Sequence, residues 1–267
     1  MEIIGYISSI LVGISLGLLG SGGSILTVPI MVYIMGVNPV EATGYSLFVV
    51  GVTSAVGSAT YIRKKLVETK TAVIFALPSI ISIFLTRKFV LPLIPNPVFI
   101  NSSFVLSKEV FIMLLFALLM VTVGVNMIRN IRLDEPEKNE IHNYNYPWFI
   151  SIGIIAGFLT GMFGVGGGFI IIPALVLFAK IPIKMSVGTS LLIISVNSFV
   201  GFAGEVLSKQ TVIDYKFLFL FVIFSVAGIF IGFRLASKIS SPQLKKMFGW
   251  LVIITGICVF IKEIFWL

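Results

Sequence analysis

The sequence predicts an all-α polytopic membrane protein built from two inverted repeats, and three observations lead to this fold class. Hydrophobic residues make up 58% of the 267 residues and charged residues only 11%, against about 25% charged residues in soluble domains. A glycine-rich stretch occurs twice, at an offset of 144 residues. The Lys and Arg residues divide unequally between the two predicted faces of the membrane, which is typical of inserted proteins.

Composition indicates an integral membrane protein, because at a mean hydropathy of +1.11 most side chains must face lipid or each other. The net charge of +8 is attributed to cytoplasmic loops rather than to nucleic-acid binding. The single Cys258 excludes a disulfide framework, a Cys-rich metal site and a multi-cysteine relay within one chain. We therefore expect no metal and no cofactor.

The duplicated stretch covers residues 17–29 and 161–173. Glycines 17, 20, 22 and 23 correspond to glycines 161, 164, 166 and 167, and Pro29 corresponds to Pro173. Each glycine costs about 1 kcal/mol inside a helix relative to Ala, so each stretch should break the helix that contains it. The repeat continues beyond the breaks, because Gly44, Ser46 and Leu47 recur as Gly188, Ser190 and Leu191. An internal duplication of the whole membrane unit follows.

Each half contains five apolar segments in the same order. In the first half they cover residues 3–19, 25–35, 42–62, 71–86 and 110–128. In the second half they cover residues 148–163, 169–179, 185–207, 217–233 and 247–265. The predicted units are an N-terminal membrane repeat (1–129), a polar cytoplasmic linker (130–146) and a C-terminal membrane repeat (147–267).

The second segment of each half is too short to span a bilayer alone, and this leaves two arrangements. Segments one and two form either a hairpin that returns to the same side or one broken spanning helix. The hairpin puts 13 of the 19 Lys and Arg on one side, whereas the broken helix divides them 10 against 9. The positive-inside rule favours the hairpin, inverted halves and both chain ends outside. Two separate short spans would give the same sides.

The glycine stretches are predicted to bind a small anion near the bilayer midplane. Irregular backbone survives at membrane depth only where it is buried in protein or lines a cavity, and helix N-termini there present N–H donors and partial positive charge. Such a site would need no intramembrane Arg or Lys. The candidate substrate-binding residues are Gly20, Ser21, Gly22, Gly23, Ser24, Ser46, Gly164, Val165, Gly166, Gly167, Gly168, Thr189, Ser190 and Asn197. The alternative is helix packing, because Gly13 with Gly17, Gly157 with Gly161 and Gly228 with Gly232 are small-residue pairs.

Few charged residues lie near the apolar segments. Glu205 ends the third segment of the second half and is the candidate for a buried coupling or gating acid, with a charge at the membrane interface as the alternative. Glu41 and Asp214 are expected at helix starts, where carboxylates are favourable. Arg87 and Arg234 end the fourth segments, where they could extend toward the interface or attract anions.

The duplicated glycine stretches, Pro29 and Pro173, and the Gly188-Thr189-Ser190 motif resemble the TauE/SafE sulfite exporter family over nearly the whole chain. The first copy departs from the pattern at Ser21, Ser24 and Tyr45. The resemblance implies two halves of about four hydrophobic segments each, in a bacterial or archaeal cytoplasmic membrane. It also implies transport of sulfite or small organosulfonates.

The function expected from these observations is secondary transport of a small sulfur oxyanion, outward, by alternating access. No ATP-binding motif is present, and one His (His142) with few intramembrane acids argues against an enzyme. A passive anion channel and an importer of another sulfur-containing anion remain alternatives. The expected partners are the anion, the lipid bilayer and protons as a candidate coupling ion. The sequence indicates no oligomeric state.

Overall fold

A computed structural model describes residues 2–20, 22–101, 104–129, 146–164, 168–177, 181–208, 214–236 and 238–265. Apart from one short β-hairpin, the regular elements of these residues are helices. In the first half they are α1 (Glu2–Leu19), α2 (Gly22–Pro29), α3 (Pro39–Arg63), α4 (Thr69–Leu85), α5 (Leu91–Leu93), β1 (Phe99–Asn101), β2 (Phe104–Leu106) and α6 (Lys108–Arg129). In the second half they are α7 (Tyr146–Phe163), α8 (Gly168–Leu177), α9 (Ile183–Ser208), α10 (Tyr215–Ala236) and α11 (Ser241–Phe265).

The predicted duplication reappears in the helix boundaries. Helix α7 begins and ends 144 residues after α1, and α9 begins 144 residues after α3. The predicted apolar segments are exceeded by one to three residues at each end in α3, α6, α9 and α10. Most of the predicted linker, residues 130–145, lies outside the described residues.

Two segments differ from the sequence prediction. Helix α2 continues as a π-helical segment, Ile30–Ile34, and α4 continues through another, Thr86–Val90, into α5. The fourth segment was expected to end at residue 86, but the helical structure continues past it and includes Arg87. The β1–β2 hairpin, which pairs Ile100 with Val105, was not predicted either.

The starts of α3 and α10 have side-chain caps. The Asn38 side chain accepts a hydrogen bond from the Val40 N–H at 2.9 Å, and Pro39 occupies the first turn, where its missing N–H is not needed. Glu41 lies in the same turn. Asp214 Oδ1 accepts a hydrogen bond from the Phe217 N–H at 3.0 Å. The prediction that Glu41 and Asp214 lie at helix starts is confirmed.

Helix α1 and the segment after it form a hairpin. A Cβ added to Gly23, at the start of α2, would overlap Val12 and Leu16 of α1. At the other end, Met35 lies against Gly5. The α2 segment therefore runs back along α1, and the two do not form one continuous broken helix.

The two halves interlock through close glycine contacts. Helix α1 of the first half packs on α10 of the second, and α7 packs on α4 in the same way. Gly17 approaches the backbone of Gly232, and Gly161 approaches Thr86. The alternative role of the small-residue pairs, helix packing, therefore applies here, because the missing side chains let backbones come together.

Two further contacts join each helix to its own counterpart. Helix α3 packs on α9, and α6 packs on α11. The sequence positions run in opposite directions across the first contact, because Gly44 meets Glu205, Gly51 meets Phe199 and Gly57 meets Leu191. The second contact is also antiparallel, with Gly124 against Ile253 and Gly256 against Met120.

The surface is apolar enough for a lipid environment. Five helical stretches of the described part are long and apolar enough to cross a membrane: Pro39–Arg63, Thr69–Leu93, Lys108–Asn126, Lys184–Leu207 and Tyr215–Ala236. Large apolar side chains such as Leu11 (58% exposed) and Phe219 (66% exposed) point outward. In water such exposure would be unfavourable, whereas in a bilayer it is expected.

The antiparallel α3–α9 contact can be tested by cross-linking. A Cβ on Gly51 would lie 3.4 Å from the Cβ of Ser198, close to the spacing of a disulfide. In a Cys258→Ser background, the pair Gly51→Cys and Ser198→Cys should therefore cross-link on oxidation, as measured by the mobility of the protein in denaturing gels after cleavage between the halves. The control pair Gly51→Cys and Leu191→Cys should not cross-link, because Leu191 contacts Gly57 instead. Equal cross-linking of both pairs would contradict this register.

Candidate functional site

The two predicted breaks have the same backbone geometry. Gly20 and Gly164 both have φ of +68°, a left-handed conformation that glycine adopts without penalty. The Gly20 N–H donates to the Leu16 carbonyl at 2.8 Å, and the Gly164 N–H donates to the Thr160 carbonyl at 2.9 Å. Each glycine thus ends its helix, α1 or α7, as a left-handed C-terminal cap, and the chain turns there.

Each break lies against the opposite half of the protein. A Cβ on Gly20 would be 2.5 Å from Val187 of α9, and a Cβ on Gly164 would overlap the backbone of Thr43 in α3. Thr43 and Val187 are themselves equivalent positions in the repeat. Helices α2 and α8, which follow the breaks, contact each other. The two breaks lie at opposite ends of the antiparallel α3–α9 contact, because Thr43 is next to Gly44, which meets Glu205, whereas Val187 is next to Gly188, which meets Tyr61.

The predicted glycine-stretch residues are described in part. Gly22, Gly23 and Gly168 lie at the starts of α2 and α8. Ser21, Val165, Gly166 and Gly167 lie outside the described residues, and the side chain of Ser24 does too.

The predicted hydroxyl groups on α3 and α9 are all buried, but they differ in their hydrogen bonds. Thr189 Oγ1 accepts from the Glu68 N–H at 2.8 Å, and Ser190 Oγ donates to the Val187 carbonyl at 2.8 Å. The Ser46 hydroxyl has no hydrogen-bond partner within the described residues. Thr189 and Ser190 thus have structural hydrogen bonds, and Ser46 retains its full capacity.

A second cluster of polar side chains lies where α3 crosses α9. Asn197 Oδ1 accepts a hydrogen bond from Ser79 at 3.0 Å. Asn197 Nδ2 and the hydroxyls of Ser198 and Ser54 are buried without a partner in the part of the chain that the structure describes. Ser54 and Ser198 are equivalent positions. An unsatisfied buried polar group costs about 1–3 kcal/mol of stability. Several such groups near one helix crossing therefore indicate a binding site for a polar ligand.

The sequence did not predict the most buried charge, that of Arg87. Its Nη1 donates to Glu205 Oε2 at 2.8 Å, and the side chains are 0% and 5% exposed, respectively. Arg87 therefore does not extend to the interface, because α4 continues past residue 86 and turns the guanidinium inward. Of the two alternatives for Glu205, a buried acid and a charge at the membrane interface, the structure shows the buried acid, and its role in coupling stays a prediction. The sequence did contain a signal for this pair: charges inside a membrane usually have partners, and Arg87 and Glu205 have opposite signs.

The Arg87–Glu205 pair lies beside the second break. A Cβ on Gly44 would be 2.9 Å from Glu205, and Gly164 contacts the preceding residue, Thr43. On the other side, Gly161 contacts Thr86, which precedes Arg87. The expectation of a site without any buried cation is therefore wrong for the surroundings of the second break. Arg234, in contrast, is exposed at the end of α10.

These helices, with paired breaks and buried polar groups between two interlocked halves, define a multi-pass membrane transporter. The pattern of the family described as "Sulfite exporter TauE/SafE" matches residues 6–259. The chain belongs to this TauE/SafE family. The resemblance that the glycine stretches indicated is thereby confirmed.

The similar curated proteins are also named as transporters, not as enzymes. A "Probable membrane transporter protein" of Xylella fastidiosa (strain Temecula1) is 33% identical over 255 residues, which cover 93% of this chain and 91% of that protein. "Probable membrane transporter protein YunE" of Bacillus subtilis is 28% identical, covering 86% and 85% of the two chains. A relative in Methanocaldococcus jannaschii is 27% identical, covering 93% and 92%. No solved structure matches the chain significantly.

Substitution of Gly164 tests how tightly the second break packs. Gly164→Ala should lower the melting temperature in detergent, because alanine is strained by about 1–2 kcal/mol at positive φ and its Cβ would also overlap Thr43. The matched control is Gly36→Ala, since Gly36 has φ of +72° but nothing within 4 Å of an added Cβ. The control should therefore show only the conformational penalty. Equal losses in the two variants would contradict the close contact.

Proposed function

We propose that this protein is a secondary transporter that exports sulfite or a small organosulfonate by alternating access. The anion binds near the bilayer midplane between the two glycine-rich breaks. The observation that carries this proposal is the matched pair of left-handed glycines, Gly20 and Gly164, each packed on the opposite half. Breaks at corresponding places in two halves are the feature that most directly indicates a transporter's binding site.

We further propose that the halves, residues 1–129 and 147–267, are inverted repeats in the cell membrane, with residues 130–146 in the cytoplasm and both chain ends outside. The support is the direction of equivalent helices. A two-fold axis in the membrane plane makes equivalent helices antiparallel, whereas an axis along the membrane normal makes them parallel. Helices α3 and α9 are antiparallel, and so are α6 and α11. The 13-to-6 charge division agrees with this topology.

The chemistry for an anion comes chiefly from N–H and hydroxyl donors. The N-termini of α2 and α8 follow the breaks, and each carries partial positive charge. Ser46, Asn197 and Ser198 add donors that have no partner among the described residues. Two interlocked halves that tilt against each other would expose such a central site to one side of the membrane at a time.

Flux into proteoliposomes tests the transport proposal. Purified protein should move radiolabelled sulfite or methanesulfonate across the vesicle membrane faster than empty vesicles do. Gly167→Leu should abolish flux without loss of protein, because a large side chain would fill the second glycine stretch, whereas Gly36→Ala should retain flux. No flux of either anion, or full flux in Gly167→Leu, would contradict the proposed site.

The alternatives are a passive anion channel and an importer on the same scaffold, and the same vesicles separate them. Flux that runs only down the anion's own gradient, with single-channel currents, would indicate a channel. Uphill uptake in the inward direction would indicate an importer.

Proton coupling through Glu205 is a further part of the proposal, since Glu205 is a buried carboxylate near the second break. If Glu205 carries the coupled proton, Glu205→Gln should transport the anion without response to a pH gradient, because the amide cannot titrate. The measurement is initial flux with and without an imposed gradient in wild type and variant. An unchanged response in the variant would remove Glu205 from coupling.

A further inference from the structure

The Arg87–Glu205 ion pair fills a space between helices beside Gly44, which we call a slot. The duplication produces an equivalent slot beside Gly188. In one slot, Gly44 of α3 faces Glu205; in the other, the equivalent Gly188 of α9 faces Tyr61. Tyr61 occupies the repeat position equivalent to Glu205. The two slots therefore have the same backbone framework but different side chains.

The partner of Tyr61 corresponds to Arg87. Gly57 contacts Ile229, and the equivalent Gly201 contacts Ile83, so α10 and α4 correspond at these residues. Four residues further along lie Phe233 in α10 and Arg87 in α4. Phe233 packs on Tyr61 with ring centroids 5.6 Å apart. A neutral aromatic pair thus fills the slot that the other half fills with an ion pair.

This comparison argues against a purely structural role for the ion pair. The fold accepts an apolar pair in the equivalent slot, and replacement of a buried ion pair by well-packed apolar groups is often neutral or stabilising. A buried charge pair that packing does not require is best explained by a charged ligand.

Arg87 has an unused binding edge. Only its Nη1 contacts Glu205, whereas Nε and Nη2 are buried and have no hydrogen-bond partner within the described residues. These two nitrogens form the side-on fork of the guanidinium, whose parallel N–H groups match two oxygens of an oxyanion. The Glu205 carboxylate itself already occupies an oxyanion position on the same group.

The charges near the pair leave room for one more negative charge. Lys108 is buried, donates through Nζ to the Leu91 carbonyl at 2.6 Å and lies within electrostatic reach of two carboxylates, Glu109 more strongly and Glu205 less strongly. The nearby Glu109 bonds Asn96 at an exposed position, where solvent screens it. Arg87 and Lys108 are thus two buried cations near one buried carboxylate, Glu205, since Glu109 is only partly buried, and a bound monoanion would balance them.

We propose that Arg87 is the cationic element of the substrate site and that a monoanionic sulfur oxyanion, such as a sulfonate, competes with Glu205 for it. The anion takes the side-on fork of Arg87, and Glu205 stays within electrostatic reach of Lys108. Each cation then has one anion, so neither state buries an uncompensated charge. This inference rests on the proposed anion transport and assigns its substrate a single negative charge.

Anion binding to the purified full-length protein in detergent tests this exchange, with methanesulfonate and sulfate as probes and calorimetry as the measurement. Wild type should bind methanesulfonate more tightly than sulfate. Glu205→Gln should bind methanesulfonate about tenfold more tightly, because the competing carboxylate is gone. Arg87→Gln combined with Glu205→Gln, which removes both charges, should bind it at least about tenfold more weakly than wild type.

Two further variants complete the test. Arg87→Lys keeps the positive charge but removes the fork, so it should weaken methanesulfonate binding even if the double variant fails to fold. Arg234→Gln, the control, removes an exposed positive charge from the corresponding end of α10 and should leave the Kd unchanged. Wild-type affinity in the double variant or in Arg87→Lys would overturn the inference, as would stronger binding of sulfate than of methanesulfonate. Absence of wild-type flux would instead contradict the proposed function.

Discussion

Close approach of helix backbones is the interaction on which this structure depends. Within a bilayer, apolar side chains gain little by leaving lipid, so helices associate through tight packing and hydrogen bonds. Gly17 against Gly232 and Gly124 against the α11 backbone provide that packing. Because these contacts join the first half to the second, they hold the two halves in one interlocked unit.

The glycine stretches therefore serve both helix packing and helix breaking, two roles that the sequence alone left as alternatives. Gly161 packs against Thr86 of the opposite half, while Gly164, three residues later, ends its helix with a left-handed turn. Packing fixes the helix end, and the fixed helix end sets where the chain turns. A transporter needs both, because an irregular backbone at membrane depth must be surrounded by protein.

Duplication gives the two halves the same backbone, and divergence gives them different chemistry. The ion pair Arg87–Glu205 and the aromatic pair Tyr61–Phe233 occupy corresponding slots. A symmetric framework can thus keep two related conformations close in energy. The ion pair gives only one of the two slots a charge that an anion could recognise. The contrast also separates what folding requires from what a ligand would require.

The membrane class, the duplication, the places of the helix breaks and the positions of Glu41 and Asp214 at helix starts could be read from the sequence, because composition, hydrophobic periodicity and glycine content are local properties. The sequence left Glu205 between a buried acid and an interfacial charge and placed Arg87 toward the interface, because the length of α4 depends on packing against α7 and α9. The charge division of the sequence favoured the α1–α2 hairpin, whereas the contact of α3 with α9 and the buried ion pair came only from the tertiary structure. Each of them joins residues far apart in the chain, and no local pattern records which helix faces which.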